Sequence, residues 1–242
     1  MPVTQARAPA VDSRLLRPSP GGLLGILMLD TQFERQLGDV GYPDTFAQLG
    51  IPAQRFVVPG ASPRRVVQQA DSALVAPFVA AAVQAQQAGA TMITTSCGFL
   101  ALFQQALQAA VEVPVLTSAL QWLAPLQSSC VQCGVLTMDG ETLGQSHLAA
   151  VGAQLSTPIE GVAPGCGFQR RILGNQAGAV SLDDCADVVA AAQRLLLRCP
   201  QVQCLVLECT NMAPHVQSVR EATGRRVEHL VSLIQSRWKP SL

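Results

Sequence analysis

The sequence predicts an α/β protein of two pseudo-symmetric domains, each a short parallel sheet flanked by helices. Three observations predict it. Apolar runs of strand length alternate with longer helical stretches, two of those runs end at an aspartate, and the motif around Cys97 returns around Cys209 with the same spacing to the next strand. Strands that alternate with helices pair in parallel, because a parallel neighbour is reached only through a crossover, usually a helix.

The elements follow in order. Gly25-Ile26-Leu27-Met28-Leu29 is a continuous apolar run stopped by Asp30, the pattern of a central strand covered on both faces. From Thr31 to Gly50 the density of Gly, Pro and polar residues predicts a long loop at the mouth of a site. Arg55 to Val58 reads as a strand, and Ser72 to Ala88 as an Ala- and Gln-rich helix stopped by Gly89. Thr91 to Thr95 is the next strand, Phe99 to Val111 a helix, and Val113 to Leu116 a further short strand. The second half restarts the programme. Cys133 to Met138, ending at Asp139, repeats the first strand, and a helix from Glu141 to Val151 and a weaker strand from Leu155 to Val162 follow. Asp183 to Leu197 is a helix that Ser181 or Asp183 can cap. Cys204 to Glu208 is a strand, Met212 to Ala222 a helix ended by Gly224, Arg226 to Leu230 a short strand, and a last helix runs to Trp238. The predicted domains are therefore 21–120 and 121–230, with the closing helix, 231–242, returning to the first. Residues 1–20, rich in Pro, Ala and Arg, form an N-terminal extension.

Composition narrows the function. A hydrophobic fraction of 49% in 242 residues supports a substantial core, and a charged fraction of 13% argues against a disordered or nucleic-acid-wrapping chain. Sixteen basic residues balance sixteen acidic ones, so no net field draws the chain to nucleic acid or an anionic membrane. No apolar run reaches the roughly 20 residues of a spanning helix, and no secretory signal pattern precedes Gly21. A cytoplasmic location is expected, where the eight cysteines stay reduced. The partner expected is a small molecule; the Ala-rich helices also offer apolar faces suited to a homodimer.

The internal repeat carries the functional expectation. When TSCGFLALFQQALQAAVEVPVL is set against LECTNMAPHVQSVREATGRRVEH, Cys97 falls on Cys209 without a gap, and Cys97 to Pro114 spans the same length as Cys209 to Arg226. Both thiols then stand where a strand gives way to a helix, the end of a parallel sheet at which ligands bind. Two such units facing each other bring the thiols to one ligand from opposite sides. Helix N-termini stabilise thiolate and bind carboxylate, so a modest lowering of one thiol's pKa is expected.

A strand-end SCG paired with a strand-end ECT in two βα repeats resembles the Asp/Glu racemase superfamily, which includes aspartate, glutamate and hydantoin racemases, maleate isomerases and arylmalonate decarboxylases. The resemblance spans residues 21 to 238. It implies catalysis without pyridoxal phosphate, metal or other cofactor, with Cys97 and Cys209 as acid and base at a carbon α to a carboxylate, and a small carboxylate, amino acid or hydantoin as substrate. It also implies that Asp30 lies near the first cysteine. Amino-acid racemases of the family follow the first cysteine with Asn and Thr, whereas Gly98, Phe99 and Leu100 stand here; Thr210 and Asn211 keep the polar pattern after the second. Racemisation or epimerisation is the activity expected, with isomerisation or decarboxylation on the same fold, or non-enzymatic ligand binding, as alternatives.

Other residues are weighed against ordinary structural roles. Thr95, Ser96, Thr117, Ser118 and Thr137 cluster at strand ends, where their hydroxyls bind a carboxylate or simply cap. Glu208 adjoins Cys209 but is expected on the opposite side of its strand, away from the thiol. Cys130 and Cys133 form a CxxC without the second ligand pair that structural zinc needs, and Cys166, Cys185, Cys199 and Cys204 read as core or surface thiols. His147, His215 and His229 read as structural or solvated.

Overall fold

The computed structural model describes residues 22–238; the expected extension over 1–20 and the end of the expected closing helix lie outside them. Among the described residues eight strands form two four-stranded sheets in which every pairing is parallel. The first contains β1 (Leu23–Leu29), β2 (Ala53–Val58), β3 (Ala90–Thr95) and β4 (Val115–Leu116) in the order β2-β1-β3-β4. The second contains β5 (Cys133–Thr137), β6 (Ile159–Gly161), β7 (Cys204–Leu207) and β8 (Arg226–His229) in the order β6-β5-β7-β8. The repeat seen in the sequence is thus also a repeat of topology.

Nine α-helices accompany the strands, the last of them following β8: α1 (Pro43–Ala47), α2 (Val75–Gln87), α3 (Gln104–Ala110), α4 (Leu123–Ser128), α5 (Gln145–Ala150), α6 (Gly167–Leu173), α7 (Asp183–Arg198), α8 (Val216–Thr223) and α9 (Leu230–Arg237), counted among the described residues. Strand β1 is buried along all but its first residue, as its apolar run requires. Helix α2 lies flush on it because Gly25 has no side chain: a Cβ there would meet the Cβ of Ala85 at 2.9 Å.

Several expected elements differ in extent, for local reasons. The helices expected from Phe99 and Met212 begin instead as six-residue 3-10 turns, Gly98–Phe103 and Thr210–His215, before continuing as α3 and α8. Pro214, inside the second turn, lacks the N–H of a regular ladder. The helix expected from Glu141 shrinks to α5, because the Asp139 carboxylate accepts the amides of Glu141 and Thr142 and folds that stretch into a turn. The strand expected over Leu155–Val162 is three residues long. Helix α1 interrupts the segment expected to be loop, and α4 and α6 were not expected at all.

Two clusters make the core. One surrounds the first sheet and extends onto one face of the second through Cys133, Val135, Cys204 and Val206. The other holds the opposite face through Leu136, Leu205 and Leu207, together with Val188, Ala191 and Leu195 of α7. Residues alternate between the clusters along β5 and β7, as a pleated strand dictates. One face of the second sheet therefore looks toward the first half of the molecule. Leu230, Val231, Leu233 and Ile234 of α9 join the first cluster, and the Trp122 indole holds the start of that helix by donating to the His229 carbonyl and to Ser232 Oγ.

Candidate active site

Cys97 and Cys209 occupy matched places. Each follows the end of the third strand of its sheet, takes an extended conformation, and is succeeded at once by a 3-10 turn. Cys97 packs against the first core cluster and Cys209 against the second, so the thiols reach one cleft from different halves. The wall is largely apolar, with Leu29, Phe33, Phe99, Met138 and Ile172 among its residues, and the space inside is about 360 Å³ counting its open mouth. Ser96, Arg35, Asn211 and Glu208 supply the polar lining.

Glu208 is where the structure corrects the sequence. Its side chain does leave β7 on the side opposite Cys209, but that side is the one facing the first half, and the carboxyl lies over Gly98 beside Cys97. The residue is fully buried. Thr137 Oγ1 donates to Oε2 at 2.7 Å, while Oε1 has no hydrogen-bond partner among the described residues. Gly98 is indispensable to this fit: a Cβ at that position would stand 2.3 Å from both the Glu208 carbonyl oxygen and Oε1. In the first half Ser96 holds the place that Glu208 holds in the second, and Ser96 Oγ accepts the amide of Leu29 at 2.9 Å. Thr210 ties the halves by donating from Oγ1 to the Ser96 carbonyl at 3.0 Å.

Arg35 is a second residue missed from sequence. Its guanidinium donates to Asp39 Oδ1 at 2.8 Å and stands over the Phe33 ring, and the pair is almost wholly buried. Asp39 Oδ1 also accepts the Gly41 amide. The loop expected at the mouth of the site therefore carries its own internal ion pair.

The remaining expected residues fall in two groups. Ser96, Phe99 and Asn211 line the cleft, and Asn211 Nδ2 lies 3.8 Å from the Cys209 sulfur. Thr95, Thr117, Ser118 and Thr137 are buried behind it and bonded within the protein. Thr95 Oγ1 donates to the Thr117 carbonyl, Thr117 Oγ1 to Gln104, and Ser118 Oγ caps the Leu120 amide. Asp30 is exposed and accepts the Gly60 amide, so its carboxylate serves the loop after β2 and stands apart from the cleft residues. Of the histidines, His147 is buried edge-on to Phe99 and His215 edge-on to Phe168; burial pushes the His147 imidazole down to about 4, which keeps it neutral.

The electrostatics reverse the expected thiol acidity. Burial, then the carboxyl of Glu208, then the neighbouring Cys209 push the Cys97 thiol well above its ordinary value; the Phe99 amide opposes this only in part. Burial and Glu208 push Cys209 up to about 12, against hydrogen bonds from the Asn211 amide and side chain. Glu208 itself is raised by burial to about 8, with the Thr137 hydroxyl pulling the other way. The short 3-10 turns bring amides to the sulfurs, yet removal from water outweighs them. Burial thus biases all three groups, the two thiols and the carboxyl, toward their protonated forms.

Comparison with known proteins places this arrangement. The family described as Asp/Glu/Hydantoin racemase matches residues 47–234, most of the chain. The chain belongs to that family. A dimethylsulfoniopropionate lyase of Durusdinium sp. clade D is 25% identical over 231 residues, covering 86% of this chain and 73% of that protein. Unliganded arylmalonate decarboxylase superposes with a TM-score of 0.57 at 18% identity, covering 89% of this chain and 90% of the other. The aspartate racemase of Picrophilus torridus gives 0.53 at 11% identity, with 90% and 94% covered. The two structural likenesses show a shared fold, two four-stranded parallel sheets flanked by helices. Family membership makes the chain an enzyme acting on a small molecule. Among its described residues no helix is long and apolar enough to cross a membrane.

Proposed function

We propose that the chain is a cofactor-independent enzyme that moves the proton on the carbon α to a carboxylate, with Cys97 and Cys209 as the acid/base pair. One observation carries the reading: two thiols at equivalent strand ends line one cleft from different halves of the molecule. The α-carbon of a small acid held between them has one sulfur toward each face. In the form of the enzyme in which one thiol has given its proton to solvent, that thiolate takes the α-proton, the other thiol returns its own, and the result is racemisation or epimerisation. The amides of Phe99 and Asn211, which already reach the sulfurs, stabilise whichever thiolate forms.

A second reading keeps the first step and changes its outcome. On a carboxylate with a leaving group at the β-carbon, removal of the α-proton expels that group and makes the enzyme a lyase. The likeness to a dimethylsulfoniopropionate lyase favours it. So does the position of Asp30, which stands apart from the cleft: among the described residues the one acid lining it is Glu208, held by burial toward its neutral form, which leaves no carboxylate to hold an α-ammonium group.

The test is exchange of α-hydrogen in deuterated water, followed by proton NMR for dimethylsulfoniopropionate, aspartate, glutamate and an arylmalonate. Exchange with retained skeleton selects racemisation, alkene formation selects elimination, and loss of carbon dioxide selects decarboxylation. Cys97→Ser and Cys209→Ser are each expected to slow the reaction by about 100- to 10,000-fold, the usual contribution of a positioned acid or base. Undiminished turnover in both variants defeats the proposal.

A further inference from the structure

Glu208 is a buried carboxyl that the two-thiol scheme leaves without a task, and its surroundings prescribe a form and a role. It has no salt-bridge partner among the described residues. Among the described residues, the groups that face it are the Thr137 hydroxyl from β5, the Cys97 thiol beyond the Gly98 turn, and Cys209 next to it in the chain; the guanidinium that lines the cleft, Arg35, is committed to Asp39. A carboxylate so placed would be out of water with one oxygen bare, a costly state; the acid form is the one such a site accepts. Thr137 donates to Oε2, so in the acid form the proton belongs on Oε1, the atom with no partner and the one lying over the Gly98 turn next to Cys97.

We propose that Glu208 acts as a neutral carboxylic acid whose Oε1–H donates a hydrogen bond to the carboxylate of the ligand held between Cys97 and Cys209. The inference deepens the reading of the site as a carboxylate α-proton enzyme and rests on it for the ligand class. An O–H donor to a carboxylate gives a short, strong bond, and it strengthens as the ligand's carboxylate gains charge when the α-proton leaves. A neutral acid does this without setting a fixed negative charge beside the thiolate that must form. Ser96, at the matched place in the first half, is a hydroxyl whose Oγ accepts the Leu29 amide, so a carboxylic acid donor is found in one half alone.

The test separates this claim from the catalytic one by measuring binding with the thiols silenced. In a Cys97→Ser/Cys209→Ser background, propionate is titrated by calorimetry from pH 6 to pH 9.5. The titratable and charged groups left around the ligand are Glu208 and the Arg35–Asp39 pair. Binding is expected to be constant at low pH and to weaken toward tenfold per unit once Glu208 ionises. Adding Glu208→Gln, whose amide N–H₂ also donates from that position, should keep the low-pH affinity and remove the pH dependence. Adding Glu208→Ala should weaken binding at pH 6 by about 10- to 100-fold, the worth of a hydrogen bond to a charged group. Circular dichroism and a thermal melt on each variant establish that it is folded. No saturable binding at pH 6, a flat profile with Glu208 present, or loss of binding in the Gln variant at every pH overturns the proposal; the last would mean that the ionised form is the one used. Failure of the Cys→Ser variants to slow exchange would sink the two-thiol mechanism and leave this result standing.

Discussion

Replacing Gly98 by alanine should damage this protein more than the addition of one methyl group suggests. The new Cβ would sit 2.3 Å from the Glu208 carbonyl oxygen and 2.3 Å from Oε1, and 2.9 Å from Cδ. The carboxyl end can rotate, but the carbonyl belongs to backbone that cannot yield freely. The Glu208 amide donates to Leu136 at 2.8 Å in the β5–β7 ladder, and Thr210 ties the following turn to Ser96. Relief must come from moving the Cys97 turn away from β7. Overpacking of this kind costs about 1 to 3 kcal/mol, and a backbone obstacle puts it at the upper end. For a chain of this size about 3 kcal/mol lowers the melting temperature by roughly 6 to 12 °C. Differential scanning calorimetry reads this directly, with Gly167→Ala as control, since a Cβ there has nothing within 4 Å. Combining Gly98→Ala with Glu208→Ala should recover only part of the loss, because the carbonyl remains. A Gly98→Ala protein that melts within a degree or two of the parent would show that the Cys97 turn is not seated against Glu208, and the geometry proposed for the site would go with it.

Other expectations follow from the same contacts. Glu208 has a folded-state pKa of about 8, above its unfolded value of 4.5, so its contribution to stability is complete below pH 4.5 and is lost as the pH rises through 8. Relative to Glu208→Gln, the parent should lose about 1.4 kcal/mol per pH unit between those values and level off above, as urea unfolding at several pH values would reveal; parallel curves for the two proteins contradict the assignment. Arg35→Ala leaves Asp39 buried without its cation, and a loss of about 3 to 5 kcal/mol is expected by the same method, against little change if the pair were solvent-screened. Iodoacetamide should modify exposed Cys130 first, with the rates at Cys97 and Cys209 still climbing above pH 9 because burial and Glu208 hold both thiols protonated; mass-resolved labelling that finds either one fastest at pH 7 disproves this.

What could be read from the residues alone was whatever repeats or alternates. The strand β1 run, the pair Cys97 and Cys209, and the parallel sheets all followed from periodicity and from one gap-free self-match. Features that depend on how the halves meet did not. Glu208 was set aside because alternation sends it away from Cys209, a correct rule applied to one sheet, when the far side of β7 faces the other half. Arg35 and Asp39 sit in a segment whose composition announces only a loop, and nothing in their four-residue spacing says that both are buried. The thiol acidity was misjudged for a related reason: the start of a helix can be located in a sequence, whereas the depth at which it lies cannot. Asp30 and Asp139 marked strand ends correctly, but each is occupied with backbone amides of a neighbouring turn.

The matched positions held by Ser96 and Glu208 give a near-twofold frame two chemically different walls. A prochiral intermediate lying there would meet unlike surroundings on its two sides, so proton return from the two directions would differ in rate. For mirror-image ligands that interconvert, the equilibrium constant is unity, and the hand held more tightly must turn over more slowly in the same proportion.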